Sequence, residues 1–356
     1  MKKADVLIVG GGPAGASCAQ ELIKAGYHVI VLDKSSFPRD KLCAGWVPPS
    51  LFTRIGVKPE EYPHGLRTYR MLHFRVKGFP LPVPTRQYAL RRVEFDHWLL
   101  QRSGAEVYKH NVRRIERREK GTPEFVIDGS FAAPCLVGAG GTGCPVARYA
   151  EKANDAGENW FINENGGVGR RKKETDRLIV TMEEEFYYPE RKEACYLRFF
   201  DNGLLGYSWY FPKADGYLTI GIGGKQSELR KRGETIRDHW HAFIRSLWKK
   251  GLVRDHDFAP SGHSYYLRGP KLSSGESIDT DRGKRKGDRG EPVQEQRDGA
   301  EGLYVAGDAA GLATVDMGEG IEPAVHSGLL AARAVIENKP YSTEPIKRRS
   351  LPEIVF

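Results

Sequence analysis

Cysteine is scarce in this chain: five in 356 residues, at positions 18, 43, 135, 144 and 195. No two form a Cys-x-x-Cys pair, and an odd count closes no complete disulfide framework, so reduced thiols are expected. None of the ten histidines joins an HExxH pattern or stands at metal-ligand spacing from a cysteine, so no metal site is expected. His239 and His241 fall in an amphipathic segment and are expected on its surface. No apolar run is long enough to span a bilayer. Met1-Lys2-Lys3 leads straight into an apolar stretch with no room for a signal peptide, which gives a cytoplasmic expectation. Acidic residues are outnumbered, 46 against 55 Lys and Arg, for a net charge of +9. The cations come in scattered runs such as Arg170-Arg171-Lys172-Lys173 and Lys284-Arg285-Lys286. No aromatic-basic motif accompanies them, so nucleic acid is not the expected partner. Two readings of the charge stand: solvated loops and helix faces, or attraction to an anionic membrane or a phosphorylated lipid, with peripheral membrane contact as its consequence.

Two glycine-rich signals are present near the two ends. The first is an apolar stretch, Val6 to Val9, running into Gly10-x-Gly12-x-x-Gly15 and then a helical pattern. Gly10 permits a tight turn, Gly12 lets the backbone approach a pyrophosphate, and Gly15 lets helix and strand pack closely. The free N–H groups at such a helix start attract phosphate charge. A second strand, Val29 to Leu32, ends at Asp33, whose carboxylate can accept hydrogen bonds from a ribose. The second signal is a strand, Leu303 to Ala306, followed by Gly307-Asp308 and a helix beginning near Gly318-Glu319-Gly320-Ile321. A third run, Gly138 to Gly143, also spells GxGxxG, but no βαβ unit or acidic partner is expected after it, which argues against a separate nicotinamide site.

Between these signals the pattern changes. Residues 88–102 read as an amphipathic helix, and 105–116 and 124–138 as strands, the latter ending in Cys135-Leu136-Val137-Gly138. Ile179 to Phe186, Cys195 to Phe200, Gly206 to Phe211 and Gly216 to Ile222 read as short strands of an antiparallel sheet. Asp201-Asn202-Gly203 and Ala214-Asp215-Gly216 supply turns that tolerate positive φ. A helix is expected from about Glu234 to Lys250. In a strand, Tyr207, Trp209 and Phe211 share one face, a broad aromatic wall that suits either an ordinary core or an apolar ligand. Residues 151–176 and 273–300 are polar and glycine-rich, without apolar periodicity, and read as mobile surface insertions. The tail after Asn338 is short.

Four segments carry a family resemblance: Lys41-Leu42-Cys43-Ala44-Gly45-Trp46; Arg92-x-x-Phe95-Asp96; Tyr207-Ser208-Trp209-Tyr210-Phe211-Pro212-Lys213; and Gly307-Asp308-Ala309-Ala310-Gly311 with the later Gly318-Glu319-Gly320-Ile321. The chain resembles FAD-dependent oxidoreductases of the p-hydroxybenzoate hydroxylase fold, and within them the geranylgeranyl reductases and their digeranylgeranyl-glycerophospholipid relatives. The resemblance implies an α/β architecture: a Rossmann-like FAD-binding domain from 1–60, 88–150 and 300–340, with an inserted antiparallel-sheet substrate domain from 61–87 and 177–265. It implies FAD contacts at Gly10, Gly12, Ala14, Gly15, Asp33, Cys43, Ala44, Arg92, Val112, Asp308, Gly320 and Ile321. Arg92 also has a local alternative, an ion pair with Glu94 or Asp96 on its own helix. Tyr207, Trp209 and Phe211 are the implied substrate wall, and Cys43, Tyr207 or a bound water the candidate proton donors. Ala44 and Trp46 stand where the family carries glycines, which alters the expected pocket shape.

The activity this implies is reduction of carbon–carbon double bonds in an isoprenoid lipid or diphosphate, with NAD(P)H or a ferredoxin as the open choice of electron donor. An alternative is a flavin-dependent monooxygenase or halogenase acting on an aromatic substrate, whose motif differs here by Tyr207 in place of a tryptophan. A third is a degenerate, non-enzymatic member, suggested by the two polar stretches. The oligomeric state is left open.

Overall fold

In the computed structural model, residues 1–119, 124–155, 175–269 and 302–355 are described. Most of the two polar stretches, 156–174 and 273–300, lies outside the described residues. The exceptions are residues 151–155, which finish a helix Pro145–Asp155, and a helical turn Thr175–Arg177.

Five strands form a parallel sheet in the order Leu303–Val305, Cys135–Gly138, Val6–Val9, Val29–Asp33, Glu106–Lys109. Every neighbouring pair is parallel. The continuous apolar runs fit this position, because parallel strands are covered on both faces. On one face lie the helices Pro13–Lys24, Arg92–Ser103 and Ile321–Glu337. Pro145–Asp155 packs against the other. A small four-stranded sheet, Lys2–Lys3, Phe131–Ala133, Glu124–Ile127 and Ile115–Arg118, flanks this layer.

The second layer is an eight-stranded sheet in the order Ser261–Tyr266, Leu178–Tyr187, Tyr217–Lys225, Gly206–Pro212, Cys195–Phe199, Arg67–Val76, Phe79–Ala89, Trp46–Val47. Its four strands between residues 178 and 225 are antiparallel to one another, and one parallel pair joins Cys195–Phe199 to Arg67–Val76. Asn202, Gly203, Asp215 and Gly216 do take positive φ, which the turns require. A capping box between Thr235 and Asp238 starts the helix Ile236–Lys249, which packs on this sheet.

Three local expectations are corrected. The helix expected over 88–102 begins at Arg92, because Tyr88 and Ala89 complete the strand from Phe79 and pair with Val47 and Trp46. The strand expected over 124–138 is three strands, broken by a turn at Asp128 and Gly129, both at positive φ, and by Pro134. His239 is buried, not on the surface. It stands three residues after Ile236, inside the apolar stripe, and its Nε2 is satisfied by Glu234 Oε2 at 2.9 Å. His241 is exposed as expected.

The contact that sets the layer's geometry joins the first and last long helices. A Cβ at Gly328 would lie 2.1 Å from the Ala14 carbonyl oxygen, and one at Gly15 would lie 1.9 Å from that of Gly10. Both obstacles are backbone, so neither helix can yield without moving as a body. Gly328→Ala is expected to cost at least about 2 kcal/mol of stability and to lower flavin retention with it. Thermal melting together with the flavin-to-protein absorbance ratio checks this, and an unchanged pair of values would refute the packing argument.

Candidate functional site

A cavity of about 470 Å³ opens where the two layers meet. Its walls bring together residues from both ends of the chain: Gly10, Gly12, Ala14, Asp33, Cys43, Ala44, Arg92, Val112, Asp308, Gly320 and Ile321. Gly15 lies behind this wall, where its missing side chain lets the helix sit on Gly10.

Two helix N-termini face the cavity. Neither Gly12 nor Gly320, the capping residues of Pro13–Lys24 and Ile321–Glu337, supplies a side-chain cap. The first helix also has no acidic residue in its first turn. Uncapped N–H groups and the positive dipole end favour a bound anion. Arg39, which sequence reading missed, adds a cation: a Cβ on Gly12 would stand 3.3 Å from its guanidinium. Asp33 is buried and accepts hydrogen bonds from the backbone N–H of Gly11 at 2.8 Å and Ser35 at 2.9 Å, one on each oxygen. Each oxygen keeps a lone pair for a ribose hydroxyl. The Gly307 N–H donates to Ser327 Oγ at 2.8 Å, and Asp308 sits over Gly320, where a Cβ would be 3.1 Å from its Oδ1. The third glycine run belongs to the same sheet as the first: Gly10 presses against the Ala139 carbonyl, and Gly140 and Gly141 line the same cavity. A helix, Pro145–Asp155, follows it, but the next strand among the described residues, Leu178–Tyr187, belongs to the other sheet, so no βαβ unit forms among them, and the helix covers the shared sheet.

Arg92 takes the local option. Its Nε and Nη2 donate to both oxygens of the fully buried Asp96, at 2.7 and 2.8 Å, while the side chain also borders the cavity. Burial works against the charge, but the Asp96 carboxylate outweighs it and raises the guanidinium above its ordinary value. Cys43 is half-buried. Its Sγ accepts from the Gly45 N–H at 3.4 Å, and its carbonyl accepts from Lys213 Nζ at 3.5 Å. Lys213, the last residue of the aromatic motif, has no exposed surface and donates to Glu185 Oε2 at 2.6 Å. Burial pushes the Glu185 carboxyl up, but Lys213 and Arg91 outweigh it and hold it below the usual range. This ion pair clamps the 42–46 loop to the eight-stranded sheet.

The aromatic wall divides. Tyr207 and Trp209 line the cavity, whereas Phe211 is fully buried away from it, against Trp46 and Tyr69 at centroid distances of 5.6 and 6.0 Å. The strand thus twists Phe211 into the core. Tyr207 donates its hydroxyl proton to the Met317 carbonyl at 2.6 Å, and burial raises its pKa, so this proton is already committed to a tether. Trp209 lies flat because its neighbours opposite are glycines. A Cβ at Gly221 would fall 2.2 Å from the indole, and Gly223 leaves similar room.

Beyond Gly221 the strand Leu178–Tyr187 places Thr181 and Glu183 on the cavity wall, beside His263 and Tyr265. Sequence reading named none of these four. Glu183 is 1% exposed, and neither of its oxygens makes a hydrogen bond. Its Oε1 is 3.2 Å from Nδ1 of His263, a nitrogen that shares a 2.8 Å hydrogen bond with Thr181 Oγ1. The alternation Thr181, Glu183, Glu185 was the available signal: three polar side chains at every second position, on one face of an otherwise largely apolar strand.

Lys347 binds Glu319 Oε2 at 2.9 Å, Glu322 Oε2 at 3.3 Å and Glu353 Oε2 at 2.7 Å, just behind the second helix start. Burial raises the Glu319 carboxyl to about 7, against the pull of Lys347. The folded protein therefore keeps a proton that the unfolded chain releases between about pH 4.5 and 7, and stability falls as pH rises through that window. Glu319→Gln, which cannot titrate, should gain stability relative to the parent across the same window. Melting both at about pH 5 and about pH 8 reads this out; an equal difference at the two pH values refutes it. Lys213→Met should cost about 3 kcal/mol, since it strips Glu185 of a buried partner, and should loosen the 42–46 loop. A melting point and flavin content like the parent's would count against the clamp.

Residues 3–114 match the family described as FAD binding domain. Digeranylgeranylglycerophospholipid reductase 3 of Methanosphaera stadtmanae is 25% identical over 387 aligned positions, covering 98% of this chain and 81% of that protein. A geranylgeranyl bacteriochlorophyll reductase-like protein of Thermoplasma acidophilum superposes with a TM-score of 0.70 at 20% identity, over 95% of this chain and 79% of the other. A flavin-dependent brominase does so at 0.62 and 16% identity, over 95% and 79%. At such identities the two superpositions establish the fold. The paired helix starts, the glycine cradle and Asp33 fit the dinucleotide these similarities imply.

Proposed function

For this chain, an FAD-dependent oxidoreductase akin to the geranylgeranyl reductases, we propose reduction of carbon–carbon double bonds in an isoprenoid lipid or diphosphate. When bound and reduced, FAD supplies a hydride equivalent. The observation that carries the reading is the pairing of an aromatic floor with a buried, unbonded carboxylate in one cavity: Tyr207 and Trp209 beside Glu183.

Each part has a task. Phosphates would lie at the Gly12 helix start near Arg39, and the ribose at Asp33. The Gly320–Ile321 helix start favours negative charge at its end of the cavity. The Tyr207–Trp209 floor orients an apolar chain and keeps water away from it. Glu183 delivers the proton that alkene reduction needs at the second carbon, and His263, partly exposed, restores it from solvent. Cys43 stands across the cavity as the other candidate donor, while the hydroxyl of Tyr207 serves position. The electron donor, a nicotinamide or a ferredoxin, meets the flavin from outside this set.

The test is anaerobic. The flavin of the purified protein is photoreduced, geranylgeranyl diphosphate or a geranylgeranylated lipid is added, and flavin absorbance and product mass are followed. Reoxidation with a gain of two hydrogens is expected. Glu183→Gln should slow reoxidation by about 100-fold or more with flavin content intact. Flavin that stays reduced until air is admitted would instead align the chain with the oxygen-using halogenases of this fold. A Glu183→Gln protein as fast as the parent would remove the carboxylate from the mechanism.

A further inference from the structure

The cavity floor does not stop at the cavity. Cross-strand partners share a face of a sheet, so the register can be followed outward from Trp209 and Tyr207. Trp209 stands opposite Leu197, Leu197 opposite Phe74, and Phe74 opposite Leu81. Tyr207 stands opposite Phe199, Phe199 opposite Val76, and Val76 opposite Phe79. Two parallel rows of apolar side chains thus cross three strand spacings, about 14 Å, from the cavity to the far hairpin. Ring contacts confirm the row: Tyr207 to Phe199 at 5.1 Å and Phe199 to Phe74 at 5.3 Å. At the outer end Phe79 is 77% exposed and Leu81 52% exposed. Among the described residues nothing covers them.

The strand that ends this floor is an unusual edge. Phe79-Pro80-Leu81-Pro82-Val83-Pro84 alternates apolar residues with prolines, and the prolines face away from the floor. Proline offers no N–H, so over this stretch the edge cannot accept an added strand from another protein. An apolar rim that resists strand pairing suits a fluid apolar partner. On the opposite face of the same strands lies a groove of about 350 Å³ lined by the cations Arg75, Lys192, Arg198 and Lys250 and by His73, with no carboxylate among its lining residues. Nearby Asp201 pairs with Arg198 at 2.7 Å and attracts Lys250 more weakly. Burial, reinforced by Arg198 and Arg75, lowers the Lys250 pKa, a sign of positive charge without sufficient counter-charge. Lys77, at the hairpin turn beside Phe79, is also exposed.

We propose that this hairpin edge is a docking surface for an anionic lipid bilayer. Phe79 and Leu81 insert among the acyl chains, and Lys77 and the basic groove face the headgroups. The docking does not rest on the proposed prenyl-lipid activity.

The flavin-loaded full chain is floated with vesicles of phosphatidylcholine alone and of phosphatidylcholine with about one-third phosphatidylglycerol. Binding is expected only to the second, and should weaken with salt. The double variant F79S/L81S should lower the bound fraction about tenfold or more. Lys77→Ala should lower it about fivefold, each with the parent's melting point and flavin content. A parent that stays with the buffer, or variants that float like it, would overturn the proposal. So would a parent that elutes as a dimer and F79S/L81S as a monomer, which would assign the surface to a second copy. Because flotation involves no turnover, a chain that binds vesicles yet reduces no prenyl substrate would defeat the activity alone.

Discussion

Everything in the site depends on how closely two helices from opposite ends of the chain can approach. Gly328 meets the Ala14 backbone, Gly15 meets Gly10, and Gly10 meets the Ala139 carbonyl. These contacts leave no space for even one methyl group. They pull the starts of Pro13–Lys24 and Ile321–Glu337 to one cavity, so that two partial positive charges face the same volume. Wider spacing would leave two separate weak anion sites. The glycines thus act through distance as much as through backbone freedom.

The eight-stranded sheet answers with the opposite chemistry. Its cavity face is aromatic in the middle and polar at one edge, and the division follows strand by strand from alternation. Glycines in Tyr217–Lys225 let the Trp209 indole reach across to the neighbourhood of Glu183. A carboxylate buried without a hydrogen bond is costly, and Glu183 holds that position on the cavity wall. The pair of buried Lys213 with half-buried Glu185, two residues along the same strand, is fully engaged by contrast and ties the 42–46 loop down.

Much of this was legible in the residues. The Gly10 motif with Asp33, the Gly307-Asp308 turn and the positive-φ turns at Asn202 and Asp215 are local signals, set by backbone sterics, and they read directly. Periodicity also located the Ile236–Lys249 helix, but the same rule, applied too loosely, put His239 outside when its spacing from Ile236 places it within the apolar stripe. Arg92 was ambiguous because a pairing partner four residues away and a distant ligand look identical in one dimension. Glu183, His263 and Arg39 were missed for a different reason. Their roles come from strand register and loop closure between segments far apart in the chain, and no short window contains that information. Phe211 shares a strand face with Trp209 on paper, yet the twist of the sheet carries it past the cavity rim into the core.

The strand Gly206–Pro212 has a consequence for how a protein of this kind can change over generations. Its cavity side chains occupy every second position, and its two neighbours are fixed by register to Cys195–Phe199 and Tyr217–Lys225. Single replacements at Tyr207 or Trp209 would reshape the floor while leaving its plan intact. An inserted or deleted residue would exchange Tyr207 and Trp209 for Ser208 and Tyr210 at once, and turn the floor inside out. The shape of the cavity floor can therefore drift by substitution within the strand. Changes of length are better accommodated in turns such as Asp201-Asn202-Gly203, where they alter the rim and spare the floor.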